Sequence, residues 1–164
     1  MKMASFFRST TTVVICCLLA GIARAEPVTL LFAGDIMLDD GPGQTIAKGG
    51  DPLAPFAAVL AEADYRIGNL ECPVASSGQA HASKIVTFRA DPRVLSILPG
   101  RFDAVSLANN HSGDYGHDAF NETMQHLDQT GIAYFGGGRN LAEAHKPLWI
   151  ERKGLKIAVL GYNE

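Results

Sequence analysis

The chain has 164 residues, 47% of them hydrophobic and 19% charged, with 17 glycines and 8 prolines. That composition excludes a disordered tail, a collagen-like fibre and a coiled coil, and the length suits one domain with a real core. The net charge of −3 is uneven: residues 1–25 hold Lys2, Arg8, Arg24 and no acids, leaving eleven bases against seventeen acids in the remainder, a charge of −6. Such an acidic remainder, without a basic block, argues against nucleic acid as a partner, because phosphate contacts need clustered Lys and Arg.

In chain order, the first element is a targeting segment. Two bases in Met1–Arg8 precede ten apolar residues, Val13 to Ile22, and Ala23-Arg24-Ala25 offers the small-x-small pattern that signal peptidase reads. Ten apolar residues fall short of the ~20 that span a bilayer as a helix. Residues 1–25 are therefore expected to be a cleaved secretory signal and residues 26–164 the mature domain. Ile22 stands where a lipoprotein would need Cys after Leu-Ala-Gly. Cys16 and Cys17 leave with the signal, so the mature chain keeps Cys72 alone, without an internal disulfide, and it reads as a small apolar filler beside Pro73.

The mature region alternates strand-like and helix-like segments. Val28–Ala33 reads as a strand buried on both faces. Asp51-Pro52 opens a helix with Leu53, Phe56, Ala57, Leu60 and Ala61 on one stripe, and Tyr65–Gly68 follows as a strand. Ala75–Ser83 reads as an exposed loop. Asp91-Pro92 opens a second helix through Val94, Leu95 and Leu98, stopped by Pro99-Gly100, and Ala104–Ala108 is a strand. Phe120, Met124 and Leu127 mark a third helix ending at Gly131, before a strand at Ile132–Phe135. Gly136-Gly137-Gly138 is a flexible turn ahead of an Asn140/Glu143 capping pair. Leu148–Glu151 and Leu155–Leu160 flank Lys153-Gly154 as a hairpin. The alternation predicts an α/β layered sandwich with a mainly parallel central sheet.

Polar residues gather just after three of these strands: Gly34-Asp35, Asn69-Leu70-Glu71, and Asn109-Asn110-His111 through Asp114. In open α/β folds, sites collect at the carboxyl ends of the strands, so three distant segments are expected at one edge of the sheet. Carboxylates and amide carbonyls suit a hard divalent cation, and an imidazole shifts the preference towards Mn²⁺, Fe²⁺ or Zn²⁺ over Mg²⁺. The candidate ligands are Asp35, Asn69, Glu71, Asn110 and His111, with His111 also the candidate general acid. Taken singly, residues such as Asp35 and Asn110 read as helix or loop caps; three such clusters at successive strand ends favour a site. His117 is a weaker candidate as a second ligand or acid. No Gly-x-Ser-x-Gly elbow is present, against an α/β-hydrolase.

Read in order, the segments Ala33-Gly34-Asp35-Ile36-Met37-Leu38, Gly68-Asn69-Leu70-Glu71 and Ser106 to His111 with Asp114 and Gly116 resemble the CapA (PgsA-type) family of bacterial capsule and poly-γ-glutamate biosynthesis proteins. Gly136-Gly137-Gly138, Glu143-Ala144 to Pro147 and Gly154 to Ala158 extend the resemblance over residues 28–164. It implies a fold similar to the calcineurin-like metallophosphoesterases around a metal centre. On that comparison Asp35 takes the place of the first metal-binding Asp, Asn69 or Glu71 that of the bridging acid, and Asn110-His111 the ligand Asn and proton-donating His. Met37 stands where those phosphoesterases usually place a His. Members of the family also continue further, so a domain truncated at its C-terminus is expected here.

Three functions follow as expectations. The first is an exported periplasmic or cell-envelope protein of capsule assembly, acting on an extracellular anionic polymer with membrane-bound synthase components. The second is a metal-dependent phosphoesterase or other hydrolase; the third is a non-catalytic polymer-binding module.

Overall fold

The computed structural model describes residues 26–163, so the signal-like segment, with Cys16 and Cys17, lies outside the described residues. The elements run β1 (Leu30–Ile36), α1 (Asp40–Ala47), a 3₁₀ turn (Ala54–Phe56) continuing into α2 (Ala57–Ala61), β2 (Tyr65–Leu70), a 3₁₀ segment (Pro92–Ile97), β3 (Ala104–Ser106), α3 (Gly116–Thr130), β4 (Ala133–Phe135), α4 (Leu141–Ala144), and the hairpin β5 (Leu148–Arg152) and β6 (Leu155–Val159). Among these elements no helix is long and apolar enough to cross a membrane.

Strands β1 to β4 form one all-parallel sheet in the order β1-β2-β3-β4, and β5 and β6 pair antiparallel beside it. One face carries the larger core. Ile36, Leu70 and Val105 of the sheet meet Leu60 of α2, Val94 and Leu95 of the 3₁₀ segment, and Met124 and Leu127 of α3. The other face packs Tyr65, Ile67, Ala104 and Phe135 against Leu148 and Ile150 of the hairpin. Helices, sheet and hairpin make the layered α/β sandwich that the strand–helix alternation predicts.

Local chemistry explains the elements. The α3 stripe at Met124 and Leu127 is fully buried, and Gly131 ends the helix at φ 74°, a left-handed cap that favours glycine. Lys153 and Gly154 both have positive φ, 48° and 78°, as a two-residue hairpin turn requires. Asp91 caps its segment by accepting from the Arg93 amide, and Asp51 accepts from the Leu53 amide in the turn ahead of its own; both segments open in 3₁₀ geometry. Only the Asp51 segment goes on into α-helix, over five residues. The second predicted helix is thus a 3₁₀ segment, stopped where Leu98 reaches Pro99-Gly100.

Two further differences matter. Helix α1 has no signal in the sequence, because Asp40-Gly41-Pro42-Gly43 carries turn residues; Asp39 caps it by accepting from the Asp40 amide. Strand β1 is the edge of the sheet, so Phe32, Gly34 and Asp35 are exposed instead of buried on both faces.

Candidate functional site

A one-residue irregularity in β1 builds the site. Phe32 is level with Ile67, but Asp35, not Gly34, is level with Asn69. Side chains alternate across a strand, so the extra residue moves Asp35 onto the face that carries the hairpin. Asn69 shares that face with Tyr65 and Ile67, and Ser106 lies level with Asn69 on β3. The Ser106 hydroxyl accepts from the Ala108 amide at 3.1 Å, tethering the chain as it leaves β3.

A chain of amides then fixes every orientation. Asn109 Oδ1 accepts from the His111 amide at 3.0 Å, the Ser112 amide at 2.8 Å and the Ser112 hydroxyl at 3.0 Å. Its Nδ2 must therefore face the other way, and it donates to the Leu70 carbonyl and to Asn69 Oδ1, both at 2.9 Å. That in turn aims Asn69 Nδ2 at two carboxylates: Asp35 Oδ1 at 2.9 Å and Glu71 Oε2. Two anions are drawn together on one neutral amide. Neither forms an ion pair among the described residues.

The next loop makes a second cluster. Asp114 is fully buried and accepts from the His111 ring at Nδ1 (2.7 Å), the Phe88 amide (2.8 Å) and the Lys84 ammonium. Burial works against its charge, but the Lys84, His111 and Phe88 donors outweigh burial and hold its carboxyl below the usual range. The His111 ring also packs on Phe88, centroids 4.8 Å apart. With Nδ1 engaged, Nε2 is the nitrogen left for chemistry.

Each candidate can now be placed. Asp35, Asn69 and Glu71 come together. Asn69 presents its N–H groups to the carboxylates, and its oxygen to Asn109. Asn110 is exposed, and its backbone carbonyl, not its side chain, is engaged, by Lys84. His111 belongs to the same loop but its ring is tied to Asp114. Among the described residues no group of three or more His, Cys, Asp or Glu stands ready to hold a metal. The pair Asp35 and Glu71 still suits one hard divalent cation of the Mg²⁺ type, which is often held by one or two carboxylates with the substrate completing the shell. Bound there, it would polarise a ligand oxygen. Met37 is partly buried and packs against the large core. Cys72 is buried, and that burial pushes its thiol up to about 11, so it is an inert filler at neutral pH.

Asn109 and Asp114 stand in the strand-end motif but outside the candidate ligand set, and Lys84 carries no signal in the sequence. Asn109 and Asn110 are adjacent, and beyond the end of β3 at Ser106 strand parity no longer says which points inward.

The sequence matches the family model of the bacterial capsule synthesis protein PGA_cap over residues 29–164. The chain belongs to this family. It is 26% identical over 148 residues to the capsule biosynthesis protein CapA of Bacillus anthracis, a match covering 85% of this chain and 35% of that protein. It is 28% identical over 138 residues to the PGA biosynthesis protein CapA of Bacillus subtilis strain 168, covering 81% and 36%. A probable polyglutamine synthesis accessory protein of Mycobacterium tuberculosis is 27% identical over 157 residues, covering 74% and 41%. The chain thus spans about a third of the length of the first two relatives. In this PGA_cap member, the resemblance read from the strand-end motifs is confirmed at the level of the family.

Proposed function

We propose that this chain is an exported envelope protein of capsule or poly-γ-glutamate assembly, which binds the extracellular anionic polymer beside membrane-bound synthase components. The observation that carries the site reading is the placement of Asp35 and Glu71 on the single Asn69 amide. Two carboxylates without a cationic partner repel one another, and a divalent cation relieves that repulsion. Such a cation, held by Asp35 and Glu71, would bridge to carboxylates of the polymer that the acidic chain would otherwise repel. Asn109 keeps Asn69 in the orientation that sets the two acids. Family membership and the names of the Bacillus relatives support the capsule part of the reading.

A second reading, hydrolysis of a phosphate ester, is favoured by one observation. The bond from His111 to buried Asp114 orients the imidazole as a general acid is oriented. The packing of Met37 into the core speaks for binding over catalysis. Metal content of the purified chain, followed by assay on a generic phosphodiester, separates the two. Bound metal without turnover supports the first reading; metal-dependent turnover abolished by His111→Ala supports the second. A chain that binds no metal contradicts both.

A further inference from the structure

Residues 76–89, between β2 and the 3₁₀ segment Pro92–Ile97, form an irregular loop whose two ends meet where Val74 bridges Ala90. The loop is pinned along its length. Ser76 and Ser77 donate to Glu122 of α3, and Gly78 passes so close that a Cβ there would meet the Tyr115 carbonyl oxygen at 2.2 Å. The His81 amide donates to the Asp114 carbonyl, while the Phe88 amide and the Lys84 ammonium donate to the Asp114 carboxylate. The Arg89 guanidinium donates to the Ser77 and Gly78 carbonyls and lies 4.4 Å from the centre of the Tyr115 ring.

Two residues stay outside this packing. Ile85 is fully exposed and Val86 is 53% exposed, side by side at the tip. From Cys72 to Ala90 the chain carries His81, Lys84 and Arg89 and no Asp or Glu, although the domain as a whole is acidic. The carboxylates that reach the loop are already spent. Asp114 serves Lys84, His111 and the Phe88 amide; Glu122 serves the two serines and His126; Asp39 serves the Arg89 and Asp40 amides. Among the described residues the Arg89 guanidinium bonds to carbonyls and not to an acid, so its charge is left over. Screening over ~10 Å at ordinary salt lets this local charge, more than the net charge of the chain, act on a surface that the tip approaches.

Resting on the reading of an envelope protein, we propose that this tip docks on an anionic bilayer surface, with Ile85 and Val86 entering the acyl boundary and the basic loop beside the headgroup phosphates. Shape favours lipid over a protein partner. A protein interface of ordinary size buries ~800 Å² on each side around a packed centre, more than two adjacent side chains on a projecting loop provide. A bilayer interface admits a small apolar tip flanked by bases. The pins keep the loop ordered beforehand, so docking has little left to order beyond the two side chains. Because Lys84 bonds to Asp114 and Phe88 packs on the His111 ring, the docked tip would hold the His111 loop close to the membrane.

The test is co-sedimentation with vesicles of equimolar phosphatidylglycerol and phosphatidylcholine, in a chelator so that no divalent cation bridges the protein's acids to the headgroups. The chain is used without residues 1–25, because the apolar run Val13–Ile22 would bind lipid by itself and both cores lie within residues 26–163. Binding to these vesicles should fall with added salt and be at least about tenfold weaker on phosphatidylcholine alone. The double substitution Ile85→Ser, Val86→Ser should weaken it by at least about tenfold with no change in melting temperature, since neither side chain is packed. Leu155→Ser should leave binding unchanged: that side chain is 45% exposed beside the hairpin turn, where Lys153 is held by Asp64 ahead of β2, at the opposite end of the sheet. No binding, equal binding to neutral vesicles, or unchanged binding of the double variant would overturn the proposal. Vesicle binding is read without metal and Mg²⁺ binding without vesicles, so the failure of either reading leaves the other standing.

Discussion

Asn109 and Asn110 are chemically identical neighbours with opposite expected effects. The Asn109 side chain makes five hydrogen bonds, to the Leu70 carbonyl, Asn69 Oδ1, the His111 and Ser112 amides and the Ser112 hydroxyl. At roughly 0.5–1.5 kcal/mol net for each bond, with water replacing some partners at this half-buried position, Asn109→Ala should cost about 3 kcal/mol. With an unfolding entropy of ~2.1 cal/mol/K per residue, that lowers the melting temperature by about 10 °C for a domain of this size. Asn110→Ala retains its only engaged group, the backbone carbonyl, and should stay within about 0.5 kcal/mol of the parent. Urea unfolding of the purified chain and both variants measures the contrast, with an unchanged slope showing that the same structure unfolds. Equal losses at the two positions, or a loss below about 1 kcal/mol for Asn109→Ala, would refute the orientation argument on which the whole network rests.

Two predictions concern other parts of the chain. Glu122 on α3 holds the Ser76–Ser77 segment: burial raises its pKa, but bonds from Ser77, Ser76 and His126 outweigh this and bring it down to about 2. A depressed carboxylate stabilises the fold above its unfolded pKa near ~4.3 and loses that contribution as pH falls through 2, so Glu122→Gln should be less stable at pH 7 by about 1–2 kcal/mol and converge on the parent near pH 2; a difference independent of pH would contradict it. Export predicts Glu26 as the N-terminus of the chain recovered from envelope fractions, and mass spectrometry finding intact Met1 in the inner membrane would show an uncleaved anchor instead.

Much of this architecture is legible in the residues because period and punctuation agree. The α3 stripe ends at a glycine with the φ that only glycine takes easily, and Lys153-Gly154 supplies the turn that a hairpin needs. What escapes is what local rules misread or do not see. Asp-Pro starts predict a helix, but Pro92–Ile97 is a 3₁₀ segment, and α1 hides behind its glycines and proline. The site was legible as three strand ends but not as a network. The shift in β1 that puts Asp35 opposite Asn69 has no signature in Gly34 or its neighbours, and buried Asp114 is paired with a lysine 30 residues away.

The proposal that Asp35 and Glu71 hold a divalent cation is tested most directly by calorimetric titration of Mg²⁺ and Mn²⁺ into the purified chain and three variants. One cation per chain should bind. Asp35→Asn and Glu71→Gln should each weaken it by tenfold or more, the scale on which metal sites respond to lost support. His111→Ala should leave it nearly unchanged, because its ring is committed to Asp114. Absence of saturable binding, or an affinity that survives both carboxylate substitutions, would contradict the assignment.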